Sequence, residues 1–407
     1  MERLFIPSPL VMGELTHTAS SFVRRLHLAL RQHKVPAQVF IGGSFAKGTL
    51  VPKNVYDIDI FVRVSECTPA FSETLHEILR TLETNVNRVH GSRDYFQVSS
   101  SPSLVFDVVP VKKITRPEQM ENVTDLSYFH VAYVTKRLTR ARAHEVVLAK
   151  LFCQSGGFYG AESYINGFSG YCLECLIIHY GSFVRMLRAL VTVREQVILD
   201  PARHYRSEGE LFREVSEAKR KGPLLLVDPT WPARNVAAGL SQECFTRFQE
   251  RAQAYLQKPH TSFFEETPFR EGALYEEARA KKGCVLKVSL ETNAPKGDVA
   301  GTKLKKMHTF LAFLLIKRFT LVKETFHYTD GQTSTSYFIL RNKQVVQQGP
   351  LLSMTKHALA FKKAHPKARV KKGRYLYTLP TITAETYLKE NVSIQTRQGM
   401  GITRLTI

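Results

Sequence analysis

Apolar residues recur at helical spacing near the start of the chain, and period-two patterns follow. Phe22, Leu26 and Leu30 predict a helix over residues 14–33 that breaks at Pro36. The segments QVFIGG, DYFQVSS and LVFDVVPVKK predict strands, and FSETLHEILRTLETNV predicts a helix. Together these elements indicate an α+β unit that ends near residue 115.

The pattern changes further along the chain. Long helical patterns cover residues 141–154, 170–194 and 239–257. After residue 259 the strand-like runs GCVLKVSLE and TSYFILR bracket an apolar helix, GTKLKKMHTFLAFLLIKRF, as in a small α/β unit. We therefore predict an α+β multidomain protein with boundaries at residues 1–126, 127–258 and 259–407.

The charge of the chain indicates a partner rich in phosphate. Lys and Arg number 57 against 36 Asp and Glu, so the formal net charge is +21. Residues 301–407 carry 19 basic and 4 acidic residues, which places much of the excess at the C-terminal end. Such a distribution favours nucleic acid as the partner.

Cysteine usage and the N-terminal segment bear on the cellular compartment. Six scattered cysteines do not form a disulfide framework and are typical of a reducing cytosol. Cys172 and Cys175 form a lone CxxC in an apolar helical run, which favours core packing over zinc binding. Glu2, Pro7 and Pro9 do not fit a signal peptide, and no apolar run is long enough to span a bilayer. We expect a cytoplasmic protein without membrane contact.

Two aspartates interrupt the apolar strand YDIDIFV. Asp57 and Asp59 are two residues apart, so their side chains leave one face of the strand, while Ile58 and Ile60 point to the other. Neighbouring carboxylates repel each other unless a cation lies between them, and oxygen ligands favour Mg²⁺. An exposed strand edge or a calcium contact is the alternative reading of this pair alone.

A third carboxylate and a glycine-serine turn complete the pattern. Asp107 is the only charged residue in the strand LVFDVVPV. Gly42, Gly43 and Ser44 follow a strand, where backbone N–H groups and a hydroxyl could cradle a triphosphate, although a lone GGS is usually only a turn. The combination predicts two-metal nucleotidyl transfer with Asp57, Asp59 and Asp107 as catalytic metal ligands.

This motif resembles the nucleotidyltransferase superfamily typified by DNA polymerase β. A narrower resemblance, to the archaeal class I tRNA CCA-adding enzymes, comes from GFYGAESYINGFSGYCLECLIIHYGSF, LLLVDPTWPARNVAAGLS, FDVVPV and GPLLSMTKHALAFKKAH, and extends over nearly the whole chain. The resemblance implies a polymerase β-like head, a helical neck, a small α/β body and a basic tail. It also implies addition of C, C and A to the 3′ end of tRNA from CTP and ATP.

The resemblance assigns roles to further residues. Ser44 would hold the triphosphate with help from His130, Lys150 and Tyr159, and Arg234 would help to read the incoming base. Ser127 stands where the family usually has threonine and would touch the ribose, and Lys47 stands where the family commonly has arginine. The nucleotide-binding residues implied in this way, with Gly43 of the turn, are Gly43, Ser44, Lys47, Ser127, His130, Lys150, Tyr159 and Arg234.

The basic segment 356–374 is predicted to contact the tRNA acceptor stem. An enzyme that serves every tRNA must grip phosphates and 2′-hydroxyls by shape. The segment holds eight Lys and Arg interleaved with Phe361 and two histidines. The candidate RNA-binding residues are Lys362, Lys363, Lys371 and Lys372, and the alternative is a solvated tail.

Other functions are compatible with the same motif. A poly(A) polymerase-like or oligoadenylate synthase-like transferase shares the head chemistry, and a non-catalytic RNA-binding protein could retain the scaffold. The three carboxylates argue against the last of these. A homodimer is allowed by the sequence but not required by it.

Overall fold

The structure is a computed structural model that describes residues 6–89, 91, 93–329, 331–343, 346–378 and 382–407. The chain forms two compact units, Met1–Thr267 and Pro268–Ile407. Among the described residues, no helix combines the length and the apolar character needed to cross a bilayer.

The first unit begins with a mixed sheet flanked by helices. Its strands follow the order β1-β2-β5-β4-β3, in which β2 and β5 are parallel and the other neighbours are antiparallel. The strands are β1 (Gln38–Ile41), β2 (Tyr56–Val64), β3 (Val86–Val89), β4 (Tyr95–Ser101) and β5 (Leu104–Lys112). The helices are α1 (Pro9–Gln32), α2 (Gly43–Ala46) and α3 (Pro69–Leu82).

One face of this sheet is closed by α1 and α3. Phe22 of α1 stacks on Phe106 of β5 with ring centroids 4.4 Å apart. Ile58 and Ile60 of β2 are fully buried in the same cluster. The side chains at alternate positions of β2 and β5 are therefore left on the opposite face, which is where the predicted carboxylates lie.

A helical region follows within the same unit. Its helices are α4 (Ser127–Arg137), α5 (Arg140–Gly156), α6 (Gly170–Tyr180), α7 (Phe183–Val191), α8 (Glu208–Glu214), α9 (Glu217–Arg220) and α10 (Gln242–Gln257). A small sheet in the order β6-β7-β8 joins them, with β6 (Val197–Leu199), β7 (Leu224–Asp228) and β8 (Trp231–Asn235). The sequence did not predict this sheet.

The predicted helix over residues 170–194 is wrong as a single element. It ends at Tyr180 because Gly181 adopts a left-handed conformation, with φ +85°, and Ser182 then caps α7 by accepting from the N–H of Arg185. Cys172 and Cys175 are buried in the apolar core of α6, which confirms packing as their role.

The second unit contains an antiparallel sheet in the order β10-β11-β9-β15. Its strands are β9 (Cys284–Glu291), β10 (Phe319–Tyr328), β11 (Thr333–Asn342) and β15 (Arg404–Thr406), and its helices are α11 (Glu271–Ala280), α12 (Asp298–Leu315), α14 (Ala384–Asn391) and α15 (Ile394–Gly399). The apolar helix predicted between two strands is confirmed as α12, which packs Leu304 and Leu311 against the sheet.

A smaller sheet in the second unit carries the basic segment. Its order is β12-β14-β13, with β12 (Val346–Leu351), β13 (Arg369–Lys371) and β14 (Arg374–Thr378), and α13 (Thr355–Ala364) packs against it. Phe361 of α13 lies 4.6 Å from the ring of His365 and 6.1 Å from that of Tyr375, measured between centroids. The basic segment is therefore folded around an aromatic core.

Candidate active site

The three predicted carboxylates lie on neighbouring strands of the first unit. The parallel register of β2 and β5 places Asp59 directly opposite Asp107, and Asp57 two positions earlier on β2. Their strand neighbours on the other face, Ile58 and Phe106, are fully buried. The apolar face thus fixes the register that brings the carboxylates together.

The glycine-serine turn packs directly onto this pair. Gly42 donates its N–H to the carbonyl of Asp59 over 2.8 Å. Gly43 has φ +59°, and a Cβ at that position would lie 1.7 Å from Oδ2 of Asp59. A glycine is required here for both reasons, and it allows Ser44 to follow immediately beside the carboxylates.

Burial and mutual repulsion act on two of the carboxyl groups. Burial raises the pKa of Asp59, and the positive charges of Lys47 and Lys53 offset this only in part. Burial, and then the negative charge of Asp59, raise the pKa of Asp107 to about 6. Gln97 donates to Asp107 over 3.2 Å. Burial of both groups, and the nearness of Asp59 to Asp107, therefore disfavour the charged forms of the pair, which a bound cation would favour.

The carboxylate oxygens of the three aspartates fit a divalent cation, although they do not form a complete metal site. Among the described residues, no three His, Cys, Asp or Glu side chains are grouped closely enough to hold an ion. Instead the ammonium of Lys53 pairs with Asp57, a cation beside the carboxylate set. Oxygen ligands with raised pKa values and a neighbouring ammonium are what a site for a hard cation is expected to show without that ion.

A cavity of about 530 Å³ opens beside the carboxylates. Its wall includes Ser44, Lys53, Asp57, Lys150 and Tyr159, so it joins the sheet to the helical region. Cavities of roughly 300 to 1,000 Å³ are usual for small-molecule sites. Ser127, His130 and Arg234 are not among the described residues that line it.

The two lysines predicted to bind the nucleotide, Lys47 and Lys150, meet on a buried glutamate of α6. The ammonium of Lys150 lies 3.0 Å from Oε1 of Glu174, and that of Lys47 lies 2.8 Å from Oε2. Thr49 donates its hydroxyl to Oε1 over 2.8 Å. Burial alone would raise the pKa of Glu174, but the charges of Lys150 and Lys47 outweigh it and hold the pKa at about 2. The cluster links the sheet to the helical region by charge.

His130 and Arg234 meet on a second buried acid, Asp228. Nε2 of His130 lies 3.3 Å from Oδ2 of Asp228, and Arg234 donates to the same oxygen over 2.7 Å. Tyr171 donates to Oδ1 over 3.1 Å and stacks on the ring of His130 at 4.0 Å. Burial opposes ionisation of Asp228, but the bonds from His130 and the charge of Arg234 hold its pKa well below the usual range. Asp228 therefore fixes the position of both predicted nucleotide residues.

The structure places the other predicted residues as follows. Ser127 is the first residue of α4 and is half-buried. In the second unit, Lys363, Lys371 and Lys372 are exposed, whereas the ammonium of Lys362 donates to the carbonyls of Pro366 and Ala368 over 2.7 and 3.0 Å. Lys362 thus secures the loop that follows α13.

Two acids of these clusters were missed by the sequence analysis. Glu174 is the only acid in the apolar helix GYCLECLIIHY, and Asp228 ends the apolar strand LLLVD. A lone acid in an apolar element needs a buried positive or hydrogen-bonding partner, which is the signal that identified Asp107. The same signal would have found both residues.

Two protein families match this chain. A nucleotidyltransferase domain family matches residues 23–126, and a family described as tRNA nucleotidyltransferase, second domain, matches residues 144–265. The structure is similar to that of an RNA terminal U-transferase, with a TM-score of 0.51 and 16% identity over 66% of this chain and 96% of the other. A poly(U) polymerase bound to MgATP gives a TM-score of 0.51 at 14% identity over 65% of this chain and 96% of that one. The fold is that of a polymerase β-like nucleotidyltransferase.

Similarity to curated proteins narrows this class. A CCA-adding enzyme of Nanoarchaeum equitans is 33% identical over 66% of this chain and 64% of its own length. One of Methanosarcina barkeri is 29% identical over 83% and 75%, and one of Thermococcus kodakarensis is 32% identical over 69% and 60%. This chain is thus similar to CCA-adding enzymes over much of its length. The matched region spans just under two thirds of the Nanoarchaeum protein. Transferases with this nucleotidyltransferase domain generally use divalent metal ions, and the Asp59–Asp107 pair fits one.

Proposed function

We propose that this protein adds C, C and A to the 3′ end of tRNA, using CTP and ATP and releasing pyrophosphate. The observation that carries the proposal is the register of β2 and β5, which sets Asp59 opposite Asp107 beside the glycine-serine turn. The cavity next to them is large enough for a nucleotide. The similarity to CCA-adding enzymes and to the tRNA nucleotidyltransferase second-domain family points to tRNA as the RNA.

We propose Mg²⁺ as the metal, held by Asp57, Asp59 and Asp107. When bound, the metal would stabilise the negative charge that develops on the attacking and leaving oxygens of an in-line displacement. Before that, Lys53 neutralises Asp57. Asp107, whose pKa burial and Asp59 raise to about 6, is also suited to accept the proton of the attacking hydroxyl.

The remaining side chains of the cavity orient the triphosphate. Ser44 and the backbone of Gly43 stand next to the carboxylates, and Lys150 and Tyr159 face them from the helical region. Because Glu174 holds the ammonium of Lys150 in place, the side chain is already ordered when it interacts with a phosphate. Ser127 is proposed to touch the ribose.

Product length on a truncated tRNA tests this function. A tRNA lacking its last three nucleotides is offered CTP, ATP or both, with and without Mg²⁺. We expect two added residues with CTP alone, three with both nucleotides, and none when Mg²⁺ is omitted. Extension of unrelated RNA by ATP alone would favour a poly(A) polymerase-like enzyme, and oligomers formed from ATP without RNA an oligoadenylate synthase-like one.

We also propose a division of labour along the chain. Residues 1–126 carry the chemistry, residues 127–258 the nucleotide contacts and residues 259–407 much of the RNA contact. The described cysteines are free, as expected for a protein of the cytoplasm. A homodimer remains a prediction that light scattering can check.

Arg234→Ala is expected to damage nucleotide choice more than chemistry. Arg234 is held by Asp228 on the helical region, whereas the carboxylates lie on the sheet. Loss of a hydrogen-bonded base contact removes about 1 to 3 kcal/mol of discrimination, roughly tenfold to a hundredfold. The measurement is incorporation efficiency of CTP, ATP and UTP on tRNA ending before CCA and on tRNA ending in CC.

Arg234→Lys serves as the control for that experiment. Lysine keeps the charge but not the planar fork of donors, so it should keep the ion pair with Asp228 without restoring discrimination. An equal slowing for all nucleotides on both tRNAs would show that Arg234 has a structural role only.

Neutralising the tail lysines is expected to weaken tRNA binding and flatten its salt dependence. Lys363, Lys371 and Lys372 are exposed, so the triple glutamine variant should lower the slope of log affinity against log salt by about 0.9 for each phosphate that it no longer neutralises. Lys362→Gln is the matched comparison, because its ammonium is engaged by two carbonyls and its loss should lower thermal stability instead. An unchanged slope in the triple variant would show that the segment is a solvated surface that does not bind RNA.

A further inference from the structure

A second basic surface lies in the first unit, at the turn between α4 and α5. Lys136 and Arg137 end α4, and Arg140 and Arg142 stand in the first turn of α5. All four side chains are exposed. We call these four residues the neck patch.

The acids that flank the neck patch in sequence are both turned away from it. No Asp or Glu occurs between Asp125 and Glu145. Asp125 is buried and accepts from the side chain of Arg93 and the N–H of Lys112. Glu145 accepts from the N–H of Phe183 at the start of α7 over 2.7 Å. Neither carboxylate is left to neutralise the patch.

The four cations are available for an external partner. In the part of the chain that the structure describes, no carboxylate forms an ion pair with any of them. The guanidinium of Arg137 lies over the ring of Tyr133, 4.1 Å from its centroid. This cation–π contact uses the flat face of the guanidinium and holds the side chain in place. Its N–H groups, which point outward in the plane of the fork, stay free to donate.

A separate cavity of about 340 Å³ adjoins the neck patch. Its wall includes Arg140 and His144, which are one helical turn apart on α5, and Lys47 of the Glu174 cluster. The cavity is distinct from the one beside the carboxylates, which Lys53 and Tyr159 line. Basic groups therefore continue from the exposed turn into a recess on the first unit.

We propose that the neck patch is a docking surface for the sugar-phosphate backbone of the tRNA substrate, additional to the basic tail. Four uncompensated cations within seven residues suit a row of phosphates, and arginine matches phosphate oxygens in a bidentate manner. A membrane surface is a poorer fit, because the one large aliphatic residue of the turn, Leu138, is not exposed. The inference rests on the proposed function and assigns part of the RNA contact to the first unit.

The test compares two variants with equal loss of charge. The patch variant carries Lys136→Gln, Arg140→Gln and Arg142→Gln, and leaves Arg137 on Tyr133. The control variant carries Arg24→Gln, Arg31→Gln and Arg188→Gln, which are exposed cations of α1 and α7. Fluorescence anisotropy gives the affinity for a tRNA lacking CCA over a range of salt concentrations.

We expect the patch variant to bind tRNA at least tenfold more weakly at about 0.1 M salt. Its salt slope should be lower by about 2 to 3, because each phosphate that is no longer neutralised contributes about 0.9. The control variant should keep the slope of the unmodified protein. ATP binding without RNA, measured by calorimetry, should be unchanged in both variants. Combined with the tail substitutions, the decreases in slope should add, since the two surfaces would hold different phosphates of one RNA.

The outcomes separate this inference from the proposed function. If the unmodified protein neither binds tRNA nor extends it, the proposed function fails. If it does both and the patch variant behaves like the control variant, only the docking surface is overturned. Equal thermal midpoints for the two variants ensure that a loss of binding is not a loss of folding.

Discussion

Asp59→Ala is expected to abolish incorporation of every nucleotide while leaving tRNA affinity nearly unchanged. The carboxylate lies opposite Asp107 and next to Gly43 of the glycine-serine turn, so its loss removes a proposed metal ligand from the centre of the site. Metal stabilisation of transferring charge is worth several kcal/mol, and about 4 kcal/mol corresponds to roughly a thousandfold in rate. Asp57→Ala and Asp107→Ala should have the same effect. Single-turnover extension of truncated tRNA measures the rate.

Mg²⁺ binding provides a second readout for these variants. With a non-hydrolysable nucleotide present, Asp57→Ala and Asp59→Ala should lose the triphosphate-dependent uptake of Mg²⁺. Glu77→Ala removes an exposed acid of α3 and is the charge-matched control, with activity retained. Robust turnover by any of the three carboxylate variants would contradict two-metal catalysis at this site.

Glu174→Ala is expected to lower the free energy of unfolding by about 3 to 5 kcal/mol, the usual effect of removing one partner of a buried ion pair. The substitution leaves the ammonium of Lys150, which is 2% exposed, without its carboxylate. Denaturant titration at neutral pH measures the loss. The double variant Glu174→Leu with Lys150→Met should recover part of the stability, because it removes the carboxylate together with the more buried of its two ammonium partners and leaves only Lys47 without a partner.

The same cluster makes stability depend on pH in a defined window. The pKa of Glu174 is about 2 in the folded protein, below its usual 4.5. A carboxyl group with a depressed folded pKa stabilises the protein fully above its unfolded pKa and loses this contribution as the pH falls toward the folded value. The stability of the unmodified protein should therefore decline from about pH 5 toward pH 2 more steeply than that of the double variant. Parallel pH profiles for the two proteins would refute the role given to Glu174.

Sequence patterns, taken for one helix or strand at a time, predicted much of the fold and the three carboxylates. Period-two alternation identified β2 and β5, and the isolated charge of Asp107 pointed to a site. The parallel register of the two strands is a feature of the tertiary structure, however, and no local sequence pattern predicts it. It depends on α1 and α3 covering one face of the sheet, which fixes which side chains remain on the other.

The lysines show most clearly where sequence reasoning stops. The resemblance assigned Lys47 and Lys150 to nucleotide binding, but it did not identify the buried acid that holds them. Lys47 lies 127 positions from Glu174, so only the packing of the sheet against α6 reveals the pair. The small sheet of β6, β7 and β8 was likewise missed, because β6 and β8 are short and only partly buried.

The pairing of β2 with β5 also determines when the catalytic centre can arise during synthesis of the chain. Asp59 and Asp107 are 48 positions apart in the chain, and β3 and β4 are made between them. The contact is non-local, so the chain must close a long loop before the two carboxylates meet. On a ribosome, Asp59 emerges well before the strand that completes its site. Until then the nascent chain carries the glycine-serine turn and only two of the three proposed metal ligands, so we expect it to have no transferase activity.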